Sequence, residues 1–139
     1  MTAEAAIRVL VADDEPLQRS GWRLAIDAQP DLEVVAVAND GVHAMAILRK
    51  TPVDVAVVDV QMPRMSGLQV AARVPEDARV RLTQRPPVTR VVLMTALDLD
   101  RLEPLGLEAG ADAVLYKDVD PERLFAVIRD AAAKRRLRT

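Results

Sequence analysis

Five polar residues stand at the ends of short apolar stretches of the chain. Asp13 and Asp14 follow IRVLVA, and Asp59 comes near the end of VDVAVVDV. Thr95 lies near the end of TRVVLMTA, and Lys117 ends AVLYK. Three carboxylates, a hydroxyl and an ammonium group are side chains typical of a phosphoryl and metal site.

The chemistry of such a set follows from its charges. Carboxylates within several ångströms of one another repel, so they either hold a proton or require a cation. Mg²⁺ is the natural cation, because it prefers oxygen ligands. Once the metal offsets the charge, one carboxylate can attack phosphorus and form an acyl phosphate. A lysine can then screen the phosphoryl oxygens, and a threonine hydroxyl can hydrogen-bond the product.

Each of these residues alone also has a purely structural explanation. Asp13 and Asp14 precede Pro16, where acidic residues cap a helix and complement its dipole. Thr95 is a good strand former, and Lys117 suits a solvated strand end. A structural explanation of the whole set requires several coincidences at the same ends of four strands, so the sequence favours a shared site.

The elements that must position these residues are five strands. Their runs are apolar on both faces, as expected for a parallel sheet that is covered by helices. The predicted strands cover residues 7–12, 32–38, 53–60, 89–96 and 113–117. Strict alternation with helices predicts an α/β fold with a doubly wound sheet. In the order 2-1-3-4-5, strands one and three are neighbours where the winding reverses, and the polar residues converge there.

Helical patterns occupy the segments between the strands. The first helix begins at Pro16, and its predicted inward stripe consists of Leu17, Gly21, Leu24 and Ala28. Trp22 is interpreted as a packing residue. Later helices are predicted over residues 41–50, after Gly67, and over 100–109 and 121–135, with Pro104 interrupting the fourth and Gly110 ending it. Before strand four, Pro75, Pro86 and Pro87 predict a long irregular connection.

Composition narrows the class of protein. The 139 residues fit one domain, and a formal net charge of -2 gives no overall basic field for nucleic acid. The chain has no cysteine, which excludes disulfides and thiolate chemistry. No apolar run reaches the length of a membrane span, and the start of the chain lacks the apolar core of a signal peptide. We therefore expect a soluble cytoplasmic protein without a membrane partner.

Four motifs are similar to the successive signatures of one family. VLVADDEP, VVDVQMPRMSG, VVLMTA and AVLYKD resemble those of the response regulator receiver domain of two-component signalling. The resemblance covers nearly the whole chain and implies a flavodoxin-like receiver over residues 1–133, with 134–139 as a basic tail or the start of a linker. The first half is most similar to receivers that precede a helix-turn-helix domain of the LuxR type.

The resemblance implies a role for each site residue. Asp59 matches the phosphoacceptor, Asp14 a direct Mg²⁺ ligand, and Asp13 the acid that holds the metal through water. The main-chain carbonyl of Gln61 matches the third protein ligand. The remaining two positions, the switch hydroxyl and the phosphate-pairing lysine, are matched by Thr95 and Lys117.

One position departs from the family pattern. Three residues before the lysine the family usually carries an aromatic switch residue, and this chain has Val114. Tyr116 stands two residues further on, and we expect it to face the opposite side of the strand. The sequence therefore predicts that the conformational response travels through Thr95 and the helix that contains Pro104.

The implied function is a switch that catalyses only its own phosphorylation and dephosphorylation. A sensor histidine kinase is the implied partner, and a homodimer through helix four, strand five and helix five is a possible form of output. No direct DNA binding is expected, because the basic end KRRLRT complements the dipole of the last helix. Two alternatives stay open: a pseudo-receiver that is never phosphorylated, and an aspartyl-phosphate phosphohydrolase, whose pattern requires a second aspartate where Gln61 stands.

Overall fold

A five-stranded parallel sheet forms the centre of the computed structural model, which describes residues 5–84 and 88–137. The strands are β1 (Ile7–Ala12), β2 (Leu32–Ala38), β3 (Val55–Asp59), β4 (Arg90–Thr95) and β5 (Ala113–Tyr116). Their spatial order is β2-β1-β3-β4-β5, and every neighbouring pair is parallel. The predicted fold class and strand order are confirmed.

Helices cover both faces of this sheet. They are α1 (Pro16–Asp27), α2 (Gly41–Leu48), α3 (Gly67–Arg73), α4 (Ala78–Gln84), α5 (Leu99–Ala109) and α6 (Pro121–Leu137). The buried side chains of α1 and α6 pack on one face, and those of α2, α3, α4 and α5 pack on the other. The central strand β3 is buried at each of its five residues and supplies alternate side chains to the two cores. This double cover explains the uninterrupted apolar runs of the sequence.

Helix α1 buries a different face from the one predicted. Leu17 and Leu24 are 84% and 72% exposed, whereas Trp22 and Ile26 are buried. Both stripes have helical spacing, so periodicity alone does not choose between them. Burial of an indole and an isoleucine removes more apolar area from water than burial of the predicted stripe would, because that stripe includes a glycine and an alanine. Trp22 packs in the core, as predicted.

The connection before β4 is not irregular throughout, because it contains α4. Asp77 accepts the backbone N–H of Val80 at 2.9 Å and so caps the first turn of this helix. Val80 is buried in the core, and Gln84 is buried at the end of the helix. The prediction of a long irregular segment was therefore wrong over residues 78–84; Pro86 and Pro87 lie outside the described residues.

Pro104 does not interrupt α5, which continues from Leu99 to Ala109. A proline at this position removes the hydrogen bond to the carbonyl of Asp100, one turn earlier. Both residues are on the exposed side of the helix, where water can replace the lost donor. Gly110 ends the helix in the left-handed conformation, with φ 114°, as the sequence predicted.

None of the helices in the described part of the chain is both long enough and apolar enough to cross a membrane.

Candidate functional site

The carboxylate cluster lies at the carboxyl ends of β1 and β3. Asp13 and Asp14 follow β1, and Asp59 is the last residue of β3. One carboxylate oxygen from each residue lies within 4.8 Å of the other two. Asp13 and Asp59 are buried, and Asp14 is exposed. The pairing of β1 with β3 at the reversal point brings these residues together, as the sequence predicted.

Lys117 reaches this cluster from the end of β5. Its Nζ lies 2.9 Å from Oδ2 of Asp59 and 3.0 Å from Oδ2 of Asp13. The other oxygen of Asp13 accepts the backbone N–H of Glu15 at 2.9 Å. The backbone N–H of Lys117 donates to the carbonyl of Thr95 at 2.9 Å, so the sheet itself sets the position of the lysine. The ammonium group therefore bridges the two buried carboxylates.

Burial and charge shift the titration of this pair. Burial raises the pKa of Asp59 to about 6; the hydrogen bond from Lys117 opposes this rise, and the negative charge of Asp13 adds to it. Burial alone would lower the pKa of Lys117, but hydrogen bonds and charges from Asp59 and Asp13 outweigh it and raise the pKa. The lysine is thus cationic at neutral pH. The carboxyl group of Asp59 keeps its proton up to a higher pH than an ordinary aspartate does.

The loop after β3 wraps closely around Asp59. The backbone N–H of Gln61 donates to Oδ1 of Asp59 at 3.2 Å, and the N–H of Gly67 donates to the carbonyl of Val60 at 3.0 Å. A Cβ at Gly67 would lie 2.4 Å from the carbonyl oxygen of Asp59, so only glycine permits this approach. The loop therefore places the Gln61 peptide beside the carboxylate.

Thr95 ends β4 near the cluster, but its hydroxyl is directed to the following loop. Oγ1 donates to the carbonyl of Leu97 at 2.6 Å and accepts the N–H of the same residue at 3.2 Å. Its contact with the side-chain oxygen of Gln61 is longer, at 3.4 Å. In this conformation the hydroxyl already has partners outside the carboxylate cluster.

The region of the usual aromatic switch is closely packed. Val114 is buried, and a Cβ added at Gly106 of α5 would lie 2.5 Å from its Cγ2. Tyr116 is 41% exposed and lines a cleft of about 250 Å³ with Ala96, Lys117 and Asp118. Leu115 packs against the core on the opposite side from Val114, so Tyr116, two residues after Val114, lies on the same face of β5 as the valine. The prediction that Val114 and Tyr116 face opposite sides was therefore wrong.

Two features beside the site were not predicted from the sequence. A cleft of about 390 Å³ is lined by Trp22 and Gly21 of α1 together with Lys117 and other residues. Within the described residues, the indole N–H of Trp22 is buried without a hydrogen-bond partner. The second feature is an ion pair between Asp40 and Arg64, which joins the start of α2 to the loop after β3. The only signal for it in the sequence was Asp40 before Gly41, a typical helix cap.

The donor set fits a hard divalent cation. Every candidate ligand is an oxygen: the three clustered carboxylates and, from the predicted set, the main-chain carbonyl of Gln61, a residue whose N–H donates to Asp59. Mutual repulsion between Asp13 and Asp59 contributes to the raised pKa of Asp59. A bound cation would offset this repulsion. This composition suits Mg²⁺ and lacks the nitrogen and sulfur ligands typical of zinc sites.

Comparison with known proteins shows which family the chain belongs to. The family model described as the response regulator receiver domain matches residues 9–129. The chain belongs to the response regulator receiver family. It is also 42% identical over 126 residues to the uncharacterised transcriptional regulatory protein YxjL of Bacillus subtilis, covering 91% of this receiver and 54% of that protein. The nitrate/nitrite response regulator NarP of Escherichia coli is 33% identical over 132 residues, covering 95% of this receiver and 58% of NarP.

Solved structures agree with this assignment. A LuxR-family two-component response regulator from Aurantimonas sp. SI85-9A1 superposes with a TM-score of 0.80 at 27% identity, covering 94% of this receiver and 88% of that chain. This receiver spans little more than half the length of the curated relatives that it matches. It is the receiver domain of a two-component response regulator, and its relatives are transcriptional regulators.

Proposed function

We propose that this receiver is a signalling switch that takes a phosphoryl group from a sensor histidine kinase onto Asp59. The main support for this proposal is the arrangement of side chains around Asp59. The buried carboxylate of Asp59 ends the central strand, clusters with Asp13 and Asp14, and pairs with Lys117 at 2.9 Å. One edge of the sheet thereby combines a nucleophile, a cation site and a cationic partner for phosphoryl oxygens.

The proposed metal ligands are Asp13, Asp14, Asp59 and the main-chain carbonyl of Gln61. Asp14 would hold Mg²⁺ directly, and Asp13 would hold it through water. Such an ion would supply positive charge that offsets the carboxylates and an incoming phosphoryl group. The side chains themselves orient the nucleophile, because Asp59 accepts the N–H of Gln61 on one oxygen and pairs with Lys117 through the other.

The proposed transfer forms one bond and breaks one. A carboxylate oxygen of Asp59 attacks phosphorus, and the P–N bond of the donor phosphohistidine breaks, with its electron pair passing to the imidazole nitrogen. Lys117 remains beside the phosphoryl oxygens and screens their charge. Water later cleaves the acyl phosphate, which returns Asp59 as a carboxylate and releases inorganic phosphate. The receiver catalyses no other reaction.

The proposed response begins at Thr95. Its hydroxyl leaves the carbonyl of Leu97 and donates to the new phosphoryl oxygen, which changes the loop that leads into α5. Because Val114 is a valine that packs on Gly106, no aromatic rotation accompanies this step. The change therefore passes through residues 95–110 rather than through Tyr116.

The proposed output is protein contact, with DNA bound by another domain. Exposed Leu105 and Leu107 of α5 and Tyr116 of β5 support a homodimer through α5, β5 and α6. The chain does not bind DNA by itself, since its formal net charge is -2 and its one dense run of basic residues is the short segment 134–139. Residues 134–139 are a basic tail or the start of a linker to a DNA-binding domain, a proposal that the longer, transcriptional relatives support.

Intact mass spectrometry after treatment with acetyl phosphate tests this function. The chain is expected to gain the mass of one phosphoryl group when Mg²⁺ is present and none when the metal is chelated. Asp59→Asn should gain none under either condition. A phosphoryl mass that persists in Asp59→Asn would refute the assignment of the phosphoacceptor, and an unmodified wild type would support the pseudo-receiver instead.

Mg²⁺ affinity is expected to depend on pH through Asp59. The pKa of this carboxyl in the metal-free protein is about 6, and the metal binds only its ionised form. The affinity should be constant well above that pKa and should fall about tenfold for each pH unit below it, because one proton competes with the metal. Calorimetric titration across this range measures the effect. Asp59→Asn should bind Mg²⁺ more weakly and without the inflection near pH 6; a flat wild-type profile contradicts the prediction.

A further inference from the structure

The loop after β3 contains a backbone conformation that an arginine rarely adopts. Arg64 has φ 67°, in the left-handed region that favours glycine. The N–H of Met65 donates to the carbonyl of Pro63 at 2.7 Å and closes a three-residue turn centred on Arg64. Turns of this length with positive φ at the centre are rare and strained. Surrounding contacts must therefore hold the turn in place.

Asp40 supplies the strongest of these contacts. This residue is buried and caps α2, because its Oδ1 accepts the backbone N–H of His43 at 2.8 Å. Its Oδ2 accepts a hydrogen bond from Nε of Arg64 at 2.9 Å and a second from a terminal nitrogen of the same guanidinium. The N–H of His43 and the Arg64 guanidinium hold the pKa of Asp40 below its usual value, so the carboxylate is charged.

The start of α2 also contacts the backbone of the turn. A Cβ added at Gly41 would lie 2.2 Å from the carbonyl oxygen of Met65. At the other end of the loop, Gly67 approaches the backbone of Asp59 with equally little space. The loop between Asp59 and Gly67 is thus fixed at both ends, and it includes Gln61, whose N–H donates to the Asp59 carboxylate.

An ordinary surface ion pair would contribute little. Pairs between exposed side chains have a median value near zero, and the Arg64 side chain is 65% exposed. This pair differs because its carboxylate is buried, because it accepts two hydrogen bonds from one guanidinium, and because the arginine is the strained residue itself. The contact therefore acts where the strain is located.

We propose that Asp40 and Arg64 are positioning residues for metal binding: their ion pair offsets the strain of the left-handed turn and so fixes the loop that presents the Gln61 carbonyl. The inference rests on the proposed function, because Gln61 is a ligand only if the cluster binds Mg²⁺. Neither residue touches the metal. Their effect is transmitted through the backbone between residues 61 and 65.

Three variants separate strain from simple loss of a contact. Arg64→Ala removes the ion pair and keeps a side chain that is costly at positive φ, so its Mg²⁺ affinity should be about tenfold weaker, the size typical of lost supporting contacts at metal sites. Asp40→Asn should weaken binding in the same direction, while the asparagine still caps α2. Arg64→Gly also removes the pair, but glycine adopts the left-handed conformation without cost, so most of the affinity should return.

Calorimetric titration of each whole chain with MgCl₂, together with urea unfolding, completes the test. Arg49→Ala is the matched control: it removes two hydrogen bonds to Oδ2 of Asp77 near the opposite end of α2 and should change stability without changing Mg²⁺ affinity. Wild-type affinity in Arg64→Ala would overturn the inference, as would a glycine variant as weak as the alanine variant. A wild-type chain that binds no Mg²⁺ would overturn the proposed function, and this inference with it.

Discussion

Lys117→Ala is expected to slow phosphorylation of Asp59 by acetyl phosphate about 10²–10³-fold, the loss typical of removing one preorganised group that stabilises transition-state charge. Lys117 is the cation that lies 2.9 Å from the Asp59 carboxylate, so it is placed to screen the phosphoryl oxygens as they arrive. Mg²⁺ affinity should not fall. The ammonium group bridges Asp13 and Asp59 without metal, and its removal frees both carboxylates for the cation.

Time-resolved intact mass measures the rate, and Mg²⁺ titration of the same variant measures the affinity. Lys50→Ala is a matched control, because Lys50 is an exposed lysine that follows α2. Its phosphorylation rate should equal that of the wild type. A Lys117→Ala variant that is phosphorylated at the wild-type rate would show that the lysine serves only to pair the carboxylates in the metal-free state.

Gln84→Ala is expected to lower the free energy of unfolding by about 2–4 kcal/mol, because several buried backbone groups lose their partner at once. The side-chain nitrogen of Gln84 donates to the carbonyls of Leu48 and Thr51, at 2.8 and 2.7 Å. Its oxygen accepts the N–H of Val53 at 2.7 Å. One amide thus links α4 to the segment between α2 and β3.

Urea unfolding of the variant measures this loss. Leu82→Ala provides the comparison in the same helix, since Leu82 is 80% exposed and its truncation should change stability by no more than about 0.5 kcal/mol. If the two variants were equally stable, the hydrogen bonds of Gln84 would contribute nothing net, and α4 would be an incidental helix on the surface.

The fold was predictable because its signals are local and repeated. Each strand is a short apolar run, and the alternation with helices leaves few possible topologies. The convergence of Asp13, Asp59 and Lys117 follows from the same reasoning, because the carboxyl ends of parallel strands lie at one edge of the sheet. Knowing the order of the strands was enough to place these side chains together, without any knowledge of their rotamers.

The features that were not predicted depend on contacts far apart in the sequence. Gln84 stabilises α4 through partners 31 to 36 residues away, so the local sequence around it shows mainly polar residues and prolines. The buried face of α1 is decided by the shape of the core that receives Trp22, since two stripes have the same period. The left-handed Arg64 likewise pairs with Asp40, which lies 24 residues earlier in the sequence and close in space.

The position of Trp22 has a practical consequence for studying the switch. The chain has one tryptophan, so its tryptophan fluorescence arises from a single indole. That indole is buried, and it lines the same cleft as Lys117, the residue that we propose screens the phosphoryl group. We therefore expect its emission wavelength and quenching to change when the site is occupied, which would allow occupancy to be followed in real time on the unlabelled wild-type chain.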